Sequence, residues 1–206
     1  LPAPDVAALP ALHDRPLVRL RLPPQAGASG WRVQVAADDR FDRVLADVRS
    51  ATPELRIAGL PDGRYPMRLR AVDAQGLEGR DARALLTLKA RPEPPLPRAP
   101  APRAVITGSR VDFAWAASSE AQRYRLQVAR AGTAAGVDPF TIPLHDLKDL
   151  DVLAQALDAL PPGAYVWRLG SVRADGDAGP FGDPQAFELR ALPPQPVPPA
   201  PPGPPA

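Results

Sequence analysis

The residues best suited to chemistry are two histidines and a short acidic stretch. His13 stands apart near the start of the chain, whereas His145 opens a cluster with Asp146, Asp149 and Asp151. Imidazole and carboxylate groups bind a divalent cation when at least three of them converge on one point. Strand or helix geometry would spread the clustered side chains apart, so we expect no metal site.

Catalysis would need a nucleophile beside a base, or two carboxylates that face each other. Neither histidine has a serine or aspartate partner at a recognisable spacing, and Glu78 and Glu120 fall in different predicted loops. The chain has no cysteine, which excludes thiolate chemistry, disulfides and the commonest zinc ligand. We therefore expect no catalytic residue and no cofactor, and we interpret the chain as a protein that is not an enzyme.

Composition narrows the classes of partner. The 206 residues include 25 Lys or Arg and 23 Asp or Glu, a formal net charge of +2, with no block of like charge. This balance argues against nucleic acid as a partner. No apolar run approaches the ~20 residues that span a bilayer, so we expect no membrane insertion of this stretch. The 30 prolines, well above the usual share of about 5%, argue against long helices.

One short phrase occurs twice in the chain. Residues 60–69 and 160–169 both read Leu-Pro-x-Gly-x-Tyr-x-x-Arg-Leu, the pattern of a tight turn that enters a half-buried strand. Upstream, residues 111–129 align with residues 18–36 without a gap. The copies are 93 residues apart in this block and 100 apart in the phrase, so the second carries seven extra residues within 130–160. The chain is therefore predicted to hold two repeats of roughly 100 residues each.

Alternation of apolar and polar residues predicts the elements of each repeat. In the first repeat it predicts short strands around residues 18–22, 31–35, 44–48, 54–57, 65–71 and 85–88. Leucines between residues 147 and 160 recur at helical spacing, although the repeat places strand there. We favour an irregular strand with one helical turn in that stretch. Short strands separated by frequent turn residues predict an all-β fold with one β-sandwich per repeat.

Proline-rich segments divide the chain. Residues 91–102, between the repeats, hold six prolines and are predicted to form an extended, semi-rigid linker. We place the first domain, with its proline-rich lead-in, at residues 1–91 and the second at residues 92–192. Residues 193–206 are predicted to form a proline-rich disordered tail.

Both repeats resemble the fibronectin type III family. In that family an early strand carries a core tryptophan, which Trp115 matches, whereas the first repeat has Leu22 there. A tyrosine after the turn begins the sixth strand and hydrogen-bonds back to the backbone, and Tyr65 and Tyr165 match it. Trp167 has inward parity and is expected in the core. The resemblance implies two tandem immunoglobulin-like (fibronectin type III) β-sandwiches joined by the proline-rich linker.

Pro66 departs from the pattern of that family. It follows Tyr65 on a strand that is central in the family, where a missing backbone donor is costly. We therefore expect the nitrogen of Pro66 at the first residue of its strand, outside the hydrogen-bonded ladder.

A narrower resemblance concerns the first repeat. Its Leu-Pro-Asp-Gly-Arg-Tyr and Ala-Val-Asp-Ala-Gln-Gly-Leu-Glu-Gly stretches are similar to the C-terminal part of bacterial FecR-domain envelope proteins. Those proteins often carry a LysM peptidoglycan-binding module at the other end. The resemblance implies a location in the periplasm or cell envelope and a role in FecR-type envelope signalling.

The outward side chains of two neighbouring strands form the candidate interaction surface. These residues are Arg32, Gln34, Arg68 and Arg70 in the first repeat and Arg125, Gln127 and Arg168 in the second. A guanidinium-rich face suits an acidic protein or an anionic glycan, although outward arginines are also common on solvated faces.

We expect from these observations a non-catalytic spacer and protein-interaction module of a bacterial cell-envelope protein. Its partner would be another envelope protein or a cell-wall glycan. One alternative is a glycan- or peptidoglycan-binding sandwich, which should expose aromatic residues, and another is a hydrolase accessory domain. A hydrolase itself would show converging carboxylates in a deep cleft.

Overall fold

The computed structural model describes residues 1–132 and 137–193, and strands dominate them. Of the predicted tail, all but Pro193 lies outside the described residues. Within the described part, the one helical segment is a 3₁₀ turn at Pro139–Thr141. No helix there is long and apolar enough to cross a membrane.

The chain divides into two compact units. Unit 1 comprises Leu1–Pro94 together with Asp175–Pro180, and unit 2 comprises Pro95–Ala174 together with the chain from Phe181 onward.

Unit 1 is a β-sandwich of two antiparallel sheets. Its strands are β1 (Val18–Arg21), β2 (Gly30–Ala36), β3 (Val44–Ser50), β4 (Glu54–Ile57), β5 (Gly63–Val72) and β6 (Ala82–Leu88). β1 pairs with β4 in the smaller sheet, and the larger sheet has the order β3-β2-β5-β6.

The two-residue period of the strands produces the core of unit 1. In β1, Val18 and Leu20 are buried, whereas Arg19 and Arg21 are exposed. The larger sheet contributes its own inward series of Val33, Val35, Met67, Leu69, Leu86 and Leu88. Each such side chain contributes roughly 1.5–3 kcal/mol on burial. The core of unit 1 is therefore mainly aliphatic.

The lead-in adds a short edge to the larger sheet of unit 1. His13 pairs in parallel with Leu88 of β6. The backbone N–H of His13 donates to the carbonyl of Thr87 at 2.9 Å, and the N–H of Lys89 donates to the carbonyl of His13 at 2.9 Å. A single residue of the lead-in thus joins the terminal strand of the sandwich.

Unit 2 repeats this architecture with additional edge strands. Its elements are β7 (Pro97–Ala99), β8 (Ala104–Thr107), β9 (Val111–Trp115), β10 (Arg123–Arg130), β11 (His145–Leu150), β12 (Ala154–Leu157), β13 (Gly163–Val172) and β15 (Gln185–Arg190). A further short strand, β14 (Ala178–Phe181), begins in the segment assigned to unit 1 and ends at Phe181 of unit 2. The smaller sheet has the order β12-β9-β7, and the larger has the order β11-β10-β13-β15-β8, with β8 parallel to β15. The predicted fold class, two tandem β-sandwiches in an all-β chain, is confirmed.

Aromatic side chains fill the core of unit 2. Phe113 makes edge-to-face contacts with Trp167 and Phe187, with ring centroids 5.1 and 5.8 Å apart. Trp115 meets Tyr124 edge-on at 5.8 Å. Such pairs add roughly 0.5–1.5 kcal/mol beyond their burial. The two units therefore share a strand plan but not a core composition.

The stretch where the repeats diverge combines a turn with strands. The 3₁₀ turn at Pro139–Thr141 is followed by β11 and β12, which lie at the edges of the two sheets. The structure confirms strand among the leucines of residues 147–160, whereas the helical turn lies before them, at Pro139–Thr141.

Pro66 lies inside its strand, and the expectation that it is the strand's first residue is wrong. It is the fourth residue of β5 and stands opposite Leu85 of β6. The pairing of β5 with β2 begins only at the next residue, Met67, which stands opposite Val35. A missing backbone donor is tolerated at Pro66 because β2 does not pair with this residue.

Candidate binding surface

Strand register places the candidate side chains on the outer face of the larger sheet in each unit. In unit 1, Arg32 stands opposite Arg70 and Gln34 opposite Arg68, across β2 and β5. We call these four residues the first arginine face. In unit 2, Gln127 stands opposite Arg168 across β10 and β13.

The second arginine face is the corresponding set in unit 2, namely Arg125, Gln127 and Arg168. The residues between them on each strand point into the core, because side chains alternate along a strand. The position opposite Arg125 is Gly170, where the first face has Arg70. Unit 2 therefore has one arginine fewer on this face.

A glutamine lies at the centre of each face and is covered by its neighbours. Gln34 and Gln127 are each only 7% exposed, although they point away from the core. Arg68 Nε donates to Gln34 Oε1 at 2.7 Å, and Arg168 Nε donates to Gln127 Oε1 at 2.9 Å. Each glutamine amide in turn donates to a carboxylate, Asp47 at 2.8 Å or Asp146 at 3.2 Å. These bonds fix one guanidinium in the same orientation on both faces.

Carboxylates from unit 1 itself neutralise the first arginine face. Arg32 donates to Asp47 with Nε at 2.8 Å and to Glu78 with Nη1 at 2.6 Å. Arg70 donates to Glu78 with Nη1 at 2.6 Å and is also bonded to Asp81. Arg49 Nη2 also donates to Glu78, at 3.1 Å, so this carboxylate accepts from three guanidinium groups.

The pKa values of these groups follow from the pairing. The hydrogen bond that Arg32 donates to Asp47 raises the pKa of Arg32, and its bond to Glu78 raises that pKa further. The hydrogen bond from Arg70 lowers the pKa of Glu78, and the same arginine lowers the pKa of Asp81. The pKa of Asp47 is lowered by its hydrogen bond from Arg32. Arg32 and Arg70 are therefore paired with carboxylates of unit 1 whose pKa values are lowered by the pairing.

Arg68 is also held by an aromatic ring. Its guanidinium carbon lies 4.4 Å from the centroid of Phe41, a residue with a left-handed backbone at φ 60°. The carboxylate of Asp38 supports that loop by accepting from the backbone N–H groups of Arg40, Asp42 and Arg43 at 3.1 Å each. Phe41 thus acts as a ring beneath the arginine rather than as a sugar platform.

The second arginine face is built on two rings. The guanidinium carbon of Arg168 lies 4.0 Å from the centroid of Phe140 and 4.5 Å from that of Phe181. The guanidinium carbon of Arg125 lies 4.5 Å from the same Phe181 centroid. Phe140 is carried by the 3₁₀ turn, whose first residue is preceded by Asp138, and the Asp138 carboxylate accepts from Phe140 N at 3.0 Å.

Acidic partners are sparse on the second arginine face. Within residues 1–132 and 137–193, no carboxylate lies within 4.0 Å of the Arg125 guanidinium, whose buried Nε has no hydrogen-bond partner. Arg168 Nη1 has one carboxylate, the exposed Asp138, at 3.8 Å. Burial lowers the pKa of Arg168, and the charge of Arg125 lowers it further while Asp138 and Asp146 oppose this. The two guanidinium groups are thus partly desolvated without close compensation, an unfavourable state for charged groups.

The repeat alignment explains this difference. At an offset of 100 residues, Glu78 corresponds to Ala178 and Asp81 corresponds to Phe181. The second repeat therefore keeps the counterparts of Arg32 and Arg68 and has glycine in place of Arg70. It loses Glu78, which neutralises Arg32 in unit 1, and also Asp81, the partner of Arg70. The rings of Phe140 and Phe181 were not predicted as part of the surface, although the exchange of Asp81 for Phe181 is readable in the aligned repeats.

The residues expected to be structural lie in the cores or at the repeated turn. The hydroxyl of Tyr65 donates to Pro61 O at 2.9 Å, and that of Tyr165 donates to Pro161 O at 2.5 Å. A Cβ at Gly63 would lie 2.9 Å from the Tyr65 hydroxyl oxygen, which accounts for glycine in the phrase. Trp115 and Trp167 are 2% and 0% exposed.

The histidine and aspartates of the acidic cluster are separated in the structure. Asp146 pairs with Lys148 at 3.6 Å and Asp149 pairs with Arg123 at 3.2 Å, so these two carboxylates have different cationic partners. In the part of the chain that the structure describes, no three His, Cys, Asp or Glu side chains are grouped to hold a metal ion.

Comparison with known proteins identifies structural likeness but no sequence relative. No protein-family model matches the chain, and no curated protein matches it. The FN1–FN3 domains of chicken CNTN1 align over 92% of this chain and 69% of their own, with 14% identity and a TM-score of 0.40. The fibronectin(III)-like modules of Clostridium thermocellum CbhA align over 87% and 88%, with 15% identity and a TM-score of 0.35. The BSP domain of a biofilm-associated protein aligns over 86% and 28%, with 12% identity and a TM-score of 0.30.

Proposed function

We propose that this chain is a non-catalytic interaction and spacer module of a bacterial cell-envelope protein, and that the second arginine face makes its contact. The observation that carries this proposal is the contrast between the two faces. Arg32 and Arg70 hydrogen-bond to acids of their own unit. Among the described residues, Arg125 has no carboxylate within 4.0 Å and Arg168 reaches only the exposed Asp138, at 3.8 Å. Partly desolvated arginines on aromatic rings are the residue types that dominate binding energy at protein interfaces.

The spacer role is supported by the independence of the two cores. One hydrophobic cluster lies wholly on strands and loops of unit 1 and the other wholly on those of unit 2. Each added sandwich with its own core lengthens a protein and need not contribute a binding or catalytic site. The envelope location and FecR-type signalling rest on the resemblance of the first repeat to FecR-domain proteins.

Burial of the tryptophans favours a protein partner over a glycan. Sugar-binding surfaces present open aromatic faces, but Trp31, Trp115 and Trp167 all belong to the buried cores. Phe140 is also buried, beneath the guanidinium of Arg168. A glycan-binding sandwich is therefore the less favoured alternative.

Site-specific photo-crosslinking in the bacterium that encodes the chain tests the proposal. Ile142 directly follows the turn that carries Phe140 and is 87% exposed, so a benzoylphenylalanine there would report on the second arginine face. The same substitution at the exposed Leu77, next to Glu78 of the first face, is the matched control. We expect a discrete protein adduct from position 142 and none from position 77.

Other patterns of adducts would contradict the proposal. Adducts from position 77 alone would move the contact to the first arginine face. The absence of protein adducts from both positions would reduce the module to a spacer.

A further inference from the structure

We infer that the second arginine face binds a polypeptide segment with adjacent acidic side chains, whose carboxylates are held by Arg125 and Arg168. The inference rests on the proposed interaction function and names the chemistry of the partner. The fold holds both guanidinium groups in place and leaves N–H donors on each without a hydrogen-bond partner among the described residues.

The two guanidinium groups lie against aromatic rings. Both guanidinium carbons lie 4.5 Å from the Phe181 centroid, and that of Arg168 also lies 4.0 Å from the Phe140 centroid. A ring attracts the charge of a guanidinium without using any of its five N–H donors. Arg168 donates one N–H to Gln127, and the Arg125 guanidinium makes no hydrogen bond with the described residues.

Unit 1 shows which ligand the counterpart of Arg125 takes. Arg32, which has the register position of Arg125, donates from Nη1 to a Glu78 oxygen at 2.6 Å. The other Glu78 oxygen accepts from Arg70, whose position in unit 2 is held by Gly170. The second repeat has Ala178 at the matching position, so unit 2 lacks an internal equivalent of this carboxylate. A glutamate or aspartate from a partner would restore the charge-assisted hydrogen bonds that unit 1 makes within itself.

Nearby acids of unit 2 do not satisfy the pair. Asp138 is exposed and reaches Arg168 only at 3.8 Å. Asp146 already accepts from Gln127 at 3.2 Å and pairs with Lys148 at 3.6 Å. The local charge therefore favours an incoming anion.

The surroundings point to a peptide rather than a free anion or a uronic acid glycan. Ile142 and Leu144, which follow the 3₁₀ turn, are 87% and 48% exposed and offer apolar contacts beside the charged pair. The rings of Phe140 and Phe181 carry guanidinium groups, so neither is an open platform for a sugar. An acidic segment that also carries an apolar residue matches both features.

Titration with a defined peptide tests the inference on the full chain. The probe is the N-acetylated, C-amidated peptide Glu-Glu-Leu-Glu-Glu, and its control is the peptide Gln-Gln-Leu-Gln-Gln. Binding is followed by NMR through the side-chain Nε–H signals of Arg125 and Arg168. We expect saturable shifts with the acidic peptide and at least about tenfold weaker binding of the glutamine peptide, because charged partners strengthen a hydrogen bond.

Three variants separate the binding role from folding. Phe181→Asp introduces the acid found at the matching position of unit 1 and should weaken binding about tenfold or more, since it neutralises the pair from within. Arg168→Gln should weaken binding similarly, whereas Arg68→Gln, the matched change in unit 1, should leave it within about twofold. Phe181→Leu keeps an apolar side chain without the ring or the charge. It should retain more binding than Phe181→Asp, and the indole N–H signals of Trp115 and Trp167 report whether unit 2 is folded in every variant.

The inference is overturned by any of three results. These are no saturable shifts with the acidic peptide, equal binding of both peptides, or equal losses in Arg68→Gln and Arg168→Gln. A competing titration with trigalacturonate that binds in place of the peptide would assign the face to a glycan instead. Photo-crosslinking to a protein at position 142 without peptide binding would leave the interaction function standing and reject only the acidic chemistry.

Discussion

The two arginine faces have the same strand register, but acids of the same unit neutralise the first face much more fully than the second. On the first face, the carboxylates of Glu78 and Asp81 accept hydrogen bonds from the guanidinium groups of Arg32 and Arg70. Acids of unit 1 therefore neutralise both of these arginines. On the second, rings replace acids and the guanidinium groups of Arg125 and Arg168 keep unused donors. The comparison teaches that repetition of cationic residues does not indicate repetition of a site, because the acids that surround them decide whether a partner is needed.

The largest expected effect distinguishes the two cores. Trp167→Ala should destabilise unit 2 by about 3–5 kcal/mol, since it removes a fully buried ring and its edge contact with Phe113. Met67→Ala, at the matching position of the phrase, should cost unit 1 about 2–5 kcal/mol. Urea unfolding followed through the indole N–H signals of Trp31 and Trp115 reports the two units separately. A smaller cost for Trp167→Ala than for Met67→Ala would contradict the greater dependence of unit 2 on aromatic packing.

A smaller effect is expected at the tyrosine of the repeated turn. Tyr165 is fully buried, so Tyr165→Phe should cost about 1–3 kcal/mol by leaving the carbonyl of Pro161 without its donor. Tyr65 is only half-buried, and water can replace its hydroxyl, so Tyr65→Phe should cost about 0.5–1.5 kcal/mol. Thermal unfolding of the two variants against the parent chain measures the difference. Equal losses of stability would show that burial of the hydroxyl does not determine how much the hydrogen bond from tyrosine to the proline carbonyl contributes.

The smallest expected effect is the loss of stability of unit 1 at low pH. The folded-state pKa values of Asp47, Glu78 and Asp81 are lowered by their arginine partners, so the stability that they contribute is present above their unfolded values near 4. It is lost as the pH falls through the lowered folded values. We expect unit 1 to lose about 1 kcal/mol or less per pair between pH 5 and pH 2, because these groups are partly exposed.

Unit-resolved urea midpoints, read from the Trp31 and Trp115 indole signals, measure this acid response. Glu78→Gln removes the bridging carboxylate and should shrink the acid loss of unit 1 without altering that of unit 2. An acid response that is unchanged in Glu78→Gln would show that other carboxylates carry it.

Much of the fold is readable from the chain because strand periodicity is local. The alternation in residues 18–22 and 31–35 predicts β1 and β2 and assigns their inward faces, and the repeated phrase locates β5 and β13. Parity alone also brings the candidate arginines onto one face of each larger sheet. These conclusions need only neighbours in sequence.

Whether acids neutralise the arginines of each face cannot be predicted from strand periodicity. Glu78 lies 46 residues from Arg32, and their contact depends on how β2, β5 and the following loop meet. The covering of Gln34 and Gln127 likewise depends on side chains from adjacent strands. Parity assigns a direction to a side chain, whereas exposure is decided by these non-local partners.

The parallel pairing of β8 with β15 gives unit 2 a mechanical property. The four aligned pairs run from Ala104 with Phe187 to Thr107 with Arg190, and they join an early strand of the unit to its last one. Tension that pulls these two strands toward opposite ends of the unit loads all of their hydrogen bonds in shear at once. In unit 1 the corresponding parallel contact is the single residue His13 against Leu88. Under stretching, unit 1 should therefore yield at lower force than unit 2, so the unit that carries Arg125 and Arg168 on its outer face is the one that keeps its shape under load.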